Sequence, residues 1–141
     1  MSNKIWEFTG ETKIHLGTTL KRIRAAVEFK LKCGIVVAKG ELGGWIEKES
    51  NLSGNAWVSG NAWVSGDARV KSSEDYCVYK NTWSSFRWFT YTRSNKMWLV
   101  GCFYGTGTEL IEKAYKDSEK SGKCYESIVK VQEAIETAME E

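Results

Sequence analysis

The sequence predicts an α+β chain in three parts. An N-terminal β-hairpin with a glycine-rich cap occupies residues 1–45, a short β-solenoid of about four hexapeptides occupies 46–71, and a ββαα unit occupies 72–141. Three observations predict this order. Leu52 to Val70 reads LSGNAWVSGNAWVSGDARV and repeats every six residues; Phe86 to Tyr104 alternates around a polar turn; the chain beyond Gly105 repeats apolar residues at helical spacing.

The repeat is the firmest of the three. Leu52, Val58, Val64 and Val70 keep a six-residue period, as do Ala56, Ala62 and Ala68, with Gly54, Gly60 and Gly66 between them. Asn55, Asn61 and Asp67 fill the turn-forming slot. Six is neither the helical period nor strand alternation. Each hexad therefore reads as an extended rung ending in a Gly-Asn corner, with the aliphatic residue and the Ala pointing inward. Two polar hairpins with Gly-Asn turns are the competing arrangement. Ile46 lies six residues before Leu52 and starts the series.

Ahead of the repeat, Trp6 and Phe8 precede a break at Gly10, and Lys13–Leu16 and Thr19–Phe29 read as a hairpin about Gly17. A helix from Leu20 to Lys30 competes, because Ala25-Ala26 and the cations favour it. Three Gly at 40, 43 and 44 demand a sharp turn or a close backbone approach. They form no phosphate loop, since neither GxxxxGK[ST] nor a GxGxxG opening a helix is present.

After the repeat, Tyr76 and Val78 read as one irregular rung or a linker. Phe86–Arg93 and Met97–Tyr104 pair around Ser94-Asn95-Lys96, with Phe86, Trp88 and Thr90 on one face and Arg87, Phe89, Tyr91 and Arg93 on the other. Thr106 and Glu109 make a capping box for a helix over 107–119. Ser121-Gly122 is read as its break, before a second helix over 123–139.

Composition narrows the function. Seven Trp and no Pro argue against disorder in a chain of 141 residues. No eighteen-residue apolar run occurs and no leader pattern opens the chain, so a cytoplasmic protein without a membrane partner is expected. Four scattered Cys and a single His lack metal-ligand spacing, so no metal or cofactor is expected and the thiols are expected to be free and mostly buried. The net charge of +2 is too mild for a dedicated nucleic-acid binder.

The blocks GELGGWIEKESNLS, GNAWV/GNAWV/GDARV and FRWFTYTR…WLVGCFYGT together resemble a family of phage and prophage accessory proteins. These are hexapeptide-repeat proteins with a left-handed-β-helix-like middle and a small αβ tail. The likeness covers nearly the whole chain, which has fewer hexads than most relatives and extra residues around Lys30 to Gly34. Three hexads per turn, as the resemblance implies, stack residues eighteen apart: Ile46 over Val64 and Leu52 over Val70 inside, Trp45 over Trp63 outside, with Trp57 over Lys39 and Arg69 over Asn51. The phage context implies a host bacterial cytoplasm and, by habit of small phage proteins, inhibition of bacterial immunity.

Catalytic sets are sparse. Hexapeptide acyltransferases use a His in the groove of a longer solenoid, whereas His15 lies outside the repeat; a Cys102–His15 pair is the one nucleophile arrangement left. The expected function is thus binding without catalysis, by a phage-encoded inhibitor engaging a host defence protein such as a CRISPR effector. A nucleotide sponge, an oligomerising structural module or homodimer, and a remote acyltransferase are the alternatives. Trp45, Trp57, Trp63 and Arg69 on the repeat, and Arg87, Phe89, Tyr91, Arg93 and Trp98 on the hairpin, are the candidate interaction residues. Aromatic rings beside guanidinium groups suit partner anchoring or nucleotide stacking.

Overall fold

The computed structural model describes residues 4–31, 33–53 and 56–140. Two four-stranded sheets stand side by side, and two helices close the far face of the second. Strand β1 (Trp6–His15) and β2 (Thr18–Ala25) form the expected hairpin, so the competing helix over 20–30 does not form. Leu16 and Gly17 turn it with φ of 52° and 77°, and Gly10 at 93° sits where the pairing register shifts. β2 ends at Ala25, because the next segment folds into its own small hairpin of β3 (Phe29–Lys30) and β4 (Val36–Val37). The first sheet continues from β2 to β5 (Leu42–Ile46), antiparallel, and then to β6 (Trp63–Val64), parallel.

The solenoid does not form. Among the described residues of the repeat the regular structure is β6, two residues long, and one isolated parallel bridge between Leu52 and Val70. The fold is a β-rich α+β arrangement of mostly antiparallel and mixed sheet. The physical reason lies in where the hexad backbone bonds go. Ala56, Ala62 and Ala68 donate back to Ser53, Ser59 and Ser65, closing local turns, while Gly44, Trp45 and Glu47 donate to Val58, Ala62 and Val64. Those bonds tie the loops to one strand, β5, whose other edge is already taken by β2. The sheet therefore grows sideways, from β2 through β5 to β6, instead of coiling.

What the hexads do set is the inward direction. Ile46, Val58, Val64 and Val70, with Ala62, are fully buried, and Leu52, Ala56 and Ala68 nearly so. The eighteen-residue partners are neighbours across parallel pairings: Trp45 with Trp63, Ile46 with Val64, Leu52 with Val70. Gly54 and Asn55 lie outside the described residues. Asn51 is the polar pin of this core. It is fully buried, donates to the Gly66 and Ala68 carbonyls, and accepts from the Lys48 amide, which satisfies the amide group that burial would otherwise penalise.

The C-terminal sheet is an antiparallel meander of β7 (Tyr76–Lys80), β8 (Trp88–Thr92), β9 (Met97–Val100) and β10 (Phe103–Thr106). The expected ββαα unit is thus ββββαα. Tyr76–Lys80 pairs fully with β8, and the strand read as Met97–Tyr104 is broken by a turn at Gly101, φ 53°. Helices α1 (Gly107–Asp117) and α2 (Glu119–Met139) cover the face bearing Phe89, Tyr91 and Trp98. The Thr106–Glu109 capping box is present, with both reciprocal bonds made. The helix break falls at Ser118 and not at Ser121-Gly122. Ser118 caps α2 by accepting from the Ser121 amide, whereas Gly122 is buried inside α2, where a Cβ would lie 2.3 Å from the Tyr115 ring.

The other face of this sheet meets the repeat through polar links. The Trp63 amide donates to Thr90 at 3.0 Å, the Arg69 amide to Ser94 at 2.7 Å, and Asn95 to Asp67 at 2.9 Å. From Phe89 to Thr92 both faces of β8 are therefore covered, with Phe89 and Tyr91 under the helices and Thr90 and Thr92 toward the repeat, while Trp88 stays exposed.

A cationic aromatic cleft and a buried carboxylate

Where the first sheet meets the end of the second, a cleft of about 480 Å³ opens between three distant segments. Strand β1 contributes Lys13 and His15, which alternate with exposed Ile14 and so share a face. Strands β5 and β6 contribute Trp45 and Trp63, set side by side by their parallel pairing. The opposite wall comes from Phe86, Arg87 and Trp88 at the start of β8, and from the Gly101-Cys102 turn.

Its side chains are fixed by rings. The Lys13 ammonium lies 4.1 Å from the Trp45 ring and 4.6 Å from that of Trp63. Arg22 adds a guanidinium 5.4 Å from Trp45 on the same sheet. The His15 ring meets Trp63 edge-on at 4.8 Å, and its Nε2 donates to the Gly101 carbonyl, which joins the two walls. Lys80 lies 5.5 Å over the Trp88 ring. Phe86 and Trp88 stand at the mouth, 64% and 47% exposed, although rings of that size are usually buried.

A second polar centre lies behind β8. Glu136 of α2 is 5% exposed and accepts from Tyr91 at 2.6 Å, Gln132 at 3.4 Å and Lys96 at 3.1 Å, with Arg93 at 3.6 Å. Burial pushes its carboxyl up, but the bonds from Tyr91, Lys96 and Gln132 outweigh that, and the group titrates below the ordinary carboxylate range. Burial likewise raises the Tyr91 hydroxyl, reinforced by its bond to Glu136, raises the Cys77 thiol, and holds Tyr79 up at about 12. Tyr79 donates to Gln132, completing the network. Every polar group here has a partner within the fold, so its role is to dock α2 on the sheet.

The residues singled out from sequence fall into three groups. Trp45, Trp63 and Arg87 line the cleft, and Phe89 borders it although it is 2% exposed. Phe89, Tyr91 and Trp98 are buried beneath α1 and α2, and Arg93 pairs with Glu136; the stretch read as an outward Arg/aromatic face is covered by helices and offers no stacking surface. Trp57 is buried edge-on against Phe29 at 5.3 Å, and Arg69 is exposed away from the cleft lining. Cys102 and His15 do line one cleft, but the His15 Nε2 is engaged by the Gly101 carbonyl. Cys33 and Cys102 are exposed and Cys77 and Cys124 half-buried, which corrects the expectation of buried thiols.

Lys13, His15, Phe86 and Trp88 are the cleft residues that sequence reasoning missed. The available signal was the alternation of Lys13 and His15 around Ile14; Phe86, Arg87 and Trp88 all line the cleft, so alternation does not mark them. Among the described residues no three His, Cys, Asp or Glu side chains group to hold a metal, and no helix is long and apolar enough to cross a membrane. No family model, curated protein or solved structure matches this chain.

Proposed function

We propose that this chain is a phage-encoded binding protein that acts without catalysis, inhibiting a bacterial anti-phage defence by engaging one of its proteins, such as a CRISPR effector, in the host cytoplasm. The observation that carries the reading is the pair Phe86 and Trp88, large rings open to solvent along a cleft lined on its other side by Lys13, His15, Trp45 and Trp63. Aromatic side chains presented beside cations on a fixed scaffold are the anchors that dominate protein interfaces. The phage context rests on the resemblance carried by the glycine block, the hexads and the aromatic hairpin.

The test is affinity capture from a defended bacterial host, with wild type and a Phe86→Ala/Trp88→Ala variant. Recovery of a defence protein by the wild type alone, with defence restored in cells carrying the variant, is the expected result. If no stable protein partner is recovered, or if the variant captures the same partner equally well, the reading is wrong.

A further inference from the structure

The interior of the cleft carries a charge pattern that the exposed rings alone do not explain. Lys13, Arg87 and His15 line it, and among its described lining residues there is no Asp or Glu. The Lys13 ammonium lies over the Trp45 and Trp63 rings at 4.1 and 4.6 Å. A ring pair orients a cation without neutralising it, whereas a salt bridge would cancel its field. Its charge therefore remains available to an anion, in a site walled by low-dielectric side chains where that charge counts for more than in bulk water.

Planarity comes from the opposite wall. Phe86 and Trp88 are exposed at the mouth, and Lys80 attends the Trp88 ring at 5.5 Å. The volume of about 480 Å³ lies within the range of small-molecule sites. An occupant must bring a negative group for the cations and a flat ring for the aromatics. An acidic segment without aromatic residues supplies only the first, and an apolar segment would bury Lys13 and Arg87 unpaired, at a cost.

We propose that the cleft binds a nucleoside phosphate, with its base on the Phe86/Trp88 side and its phosphate between Lys13 and Arg87. Stacking on aromatic faces tolerates any base, and the cations select the phosphate. The inference rests on the reading of the cleft as the working surface, and does not depend on which protein partner is engaged.

The test is calorimetric titration of the intact chain with AMP, GMP, adenosine and inorganic phosphate, repeated on Lys13→Gln, Arg87→Gln and Trp88→Ala. AMP or GMP is expected to bind, with adenosine and inorganic phosphate each weaker by about tenfold or more, and with each variant weakened by about tenfold, the scale of one charge-assisted or stacking contact. Arg87 is exposed, so Arg87→Gln carries the test if Lys13→Gln fails to fold. Absence of binding by both nucleotides at millimolar concentration overturns the inference, as does equal affinity for adenosine and AMP, or for phosphate and AMP. Affinity capture run in parallel separates the two readings. Captured partner without nucleotide binding removes this inference alone, and nucleotide binding without a captured protein removes only the protein partner.

Discussion

Glu136 is where one substitution should disturb the most. Its carboxylate is 5% exposed and accepts from Tyr91, Gln132 and Lys96, with Arg93 at 3.6 Å. Glu136→Ala removes the acceptor of a buried Tyr hydroxyl and strips two cations of their partner. Leaving one buried donor unpaired costs about 1–3 kcal/mol, and losing a buried ion pair about 3–5 kcal/mol. The side chain of Lys96 is 70% exposed and that of Arg93 25%, so solvent repays much of the ionic part. About 2–4 kcal/mol is the expected loss, read from the midpoint of urea unfolding at unchanged slope. Glu136→Gln keeps an acceptor for Tyr91 and should lose about half as much. The sign of the pH dependence follows. The folded carboxyl titrates below its ordinary value, so its stabilisation is full above the ordinary carboxylate range and is lost as pH falls through the depressed value. Wild type should therefore lose its advantage over Glu136→Gln in acid. A Glu136→Ala midpoint equal to wild type, or a gap to Glu136→Gln that is flat with pH, refutes the reasoning.

Three further outcomes are expected. Gly44→Ala places a Cβ 2.5 Å from both the Ser59 and the Ala62 carbonyl oxygens, backbone atoms that cannot step aside; a loss of about 3 kcal/mol or failure to fold should appear in thermal unfolding. Thr106→Ala deletes the α1 cap and should cost about 1 kcal/mol by the same measurement, with Thr106→Ser close to wild type. Phe86→Gly should raise stability by about 1 kcal/mol, because Phe86 sits at φ 58° with little of its ring buried, while abolishing capture of the partner.

Local chemistry was legible in the sequence, and pairing was not. The Thr106–Glu109 cap lies within one helical turn and could be read directly, as could the β1–β2 turn at Gly17. The hexads told which side chains point inward, and Val58, Ala62, Val64 and Val70 are all fully buried. A six-residue period does not say whether backbone bonds reach a rung above or close on the Ser three residues back. Here they do both: the three Ala amides close back on Ser, a few others reach across to β5 and to residues 51–53, and β2 takes the other edge of β5. The turn at Gly101 was hidden because apolar residues continue on both sides of it. Strand alternation grouped Phe89 with Tyr91 correctly, but only the docking of α2, through Tyr91 to Glu136, decides that this is the covered face. The cleft draws on residues 13–15, 45–63 and 86–102, so no window of sequence contains it.

Backbone strain sharpens the argument for that cleft. Three described residues other than Gly have positive φ: Leu16 at 52°, Phe86 at 58° and Lys96 at 55°. Leu16 adjoins His15 on one wall, and Phe86 forms part of the other together with Gly101, whose φ is 53°. A side chain in this conformation costs about 1–2 kcal/mol, and a Gly at position 86 would avoid that cost. Burial does not offset it, since Phe86 is 64% exposed. A strained, exposed ring makes no sense as core packing and good sense as a presented contact, where strain held by a rigid scaffold fixes a side chain in its working position. The repeat then acquires its purpose. Its buried aliphatics pack behind the Trp45–Trp63 pairing, which places both indoles on the wall opposite the ring at position 86.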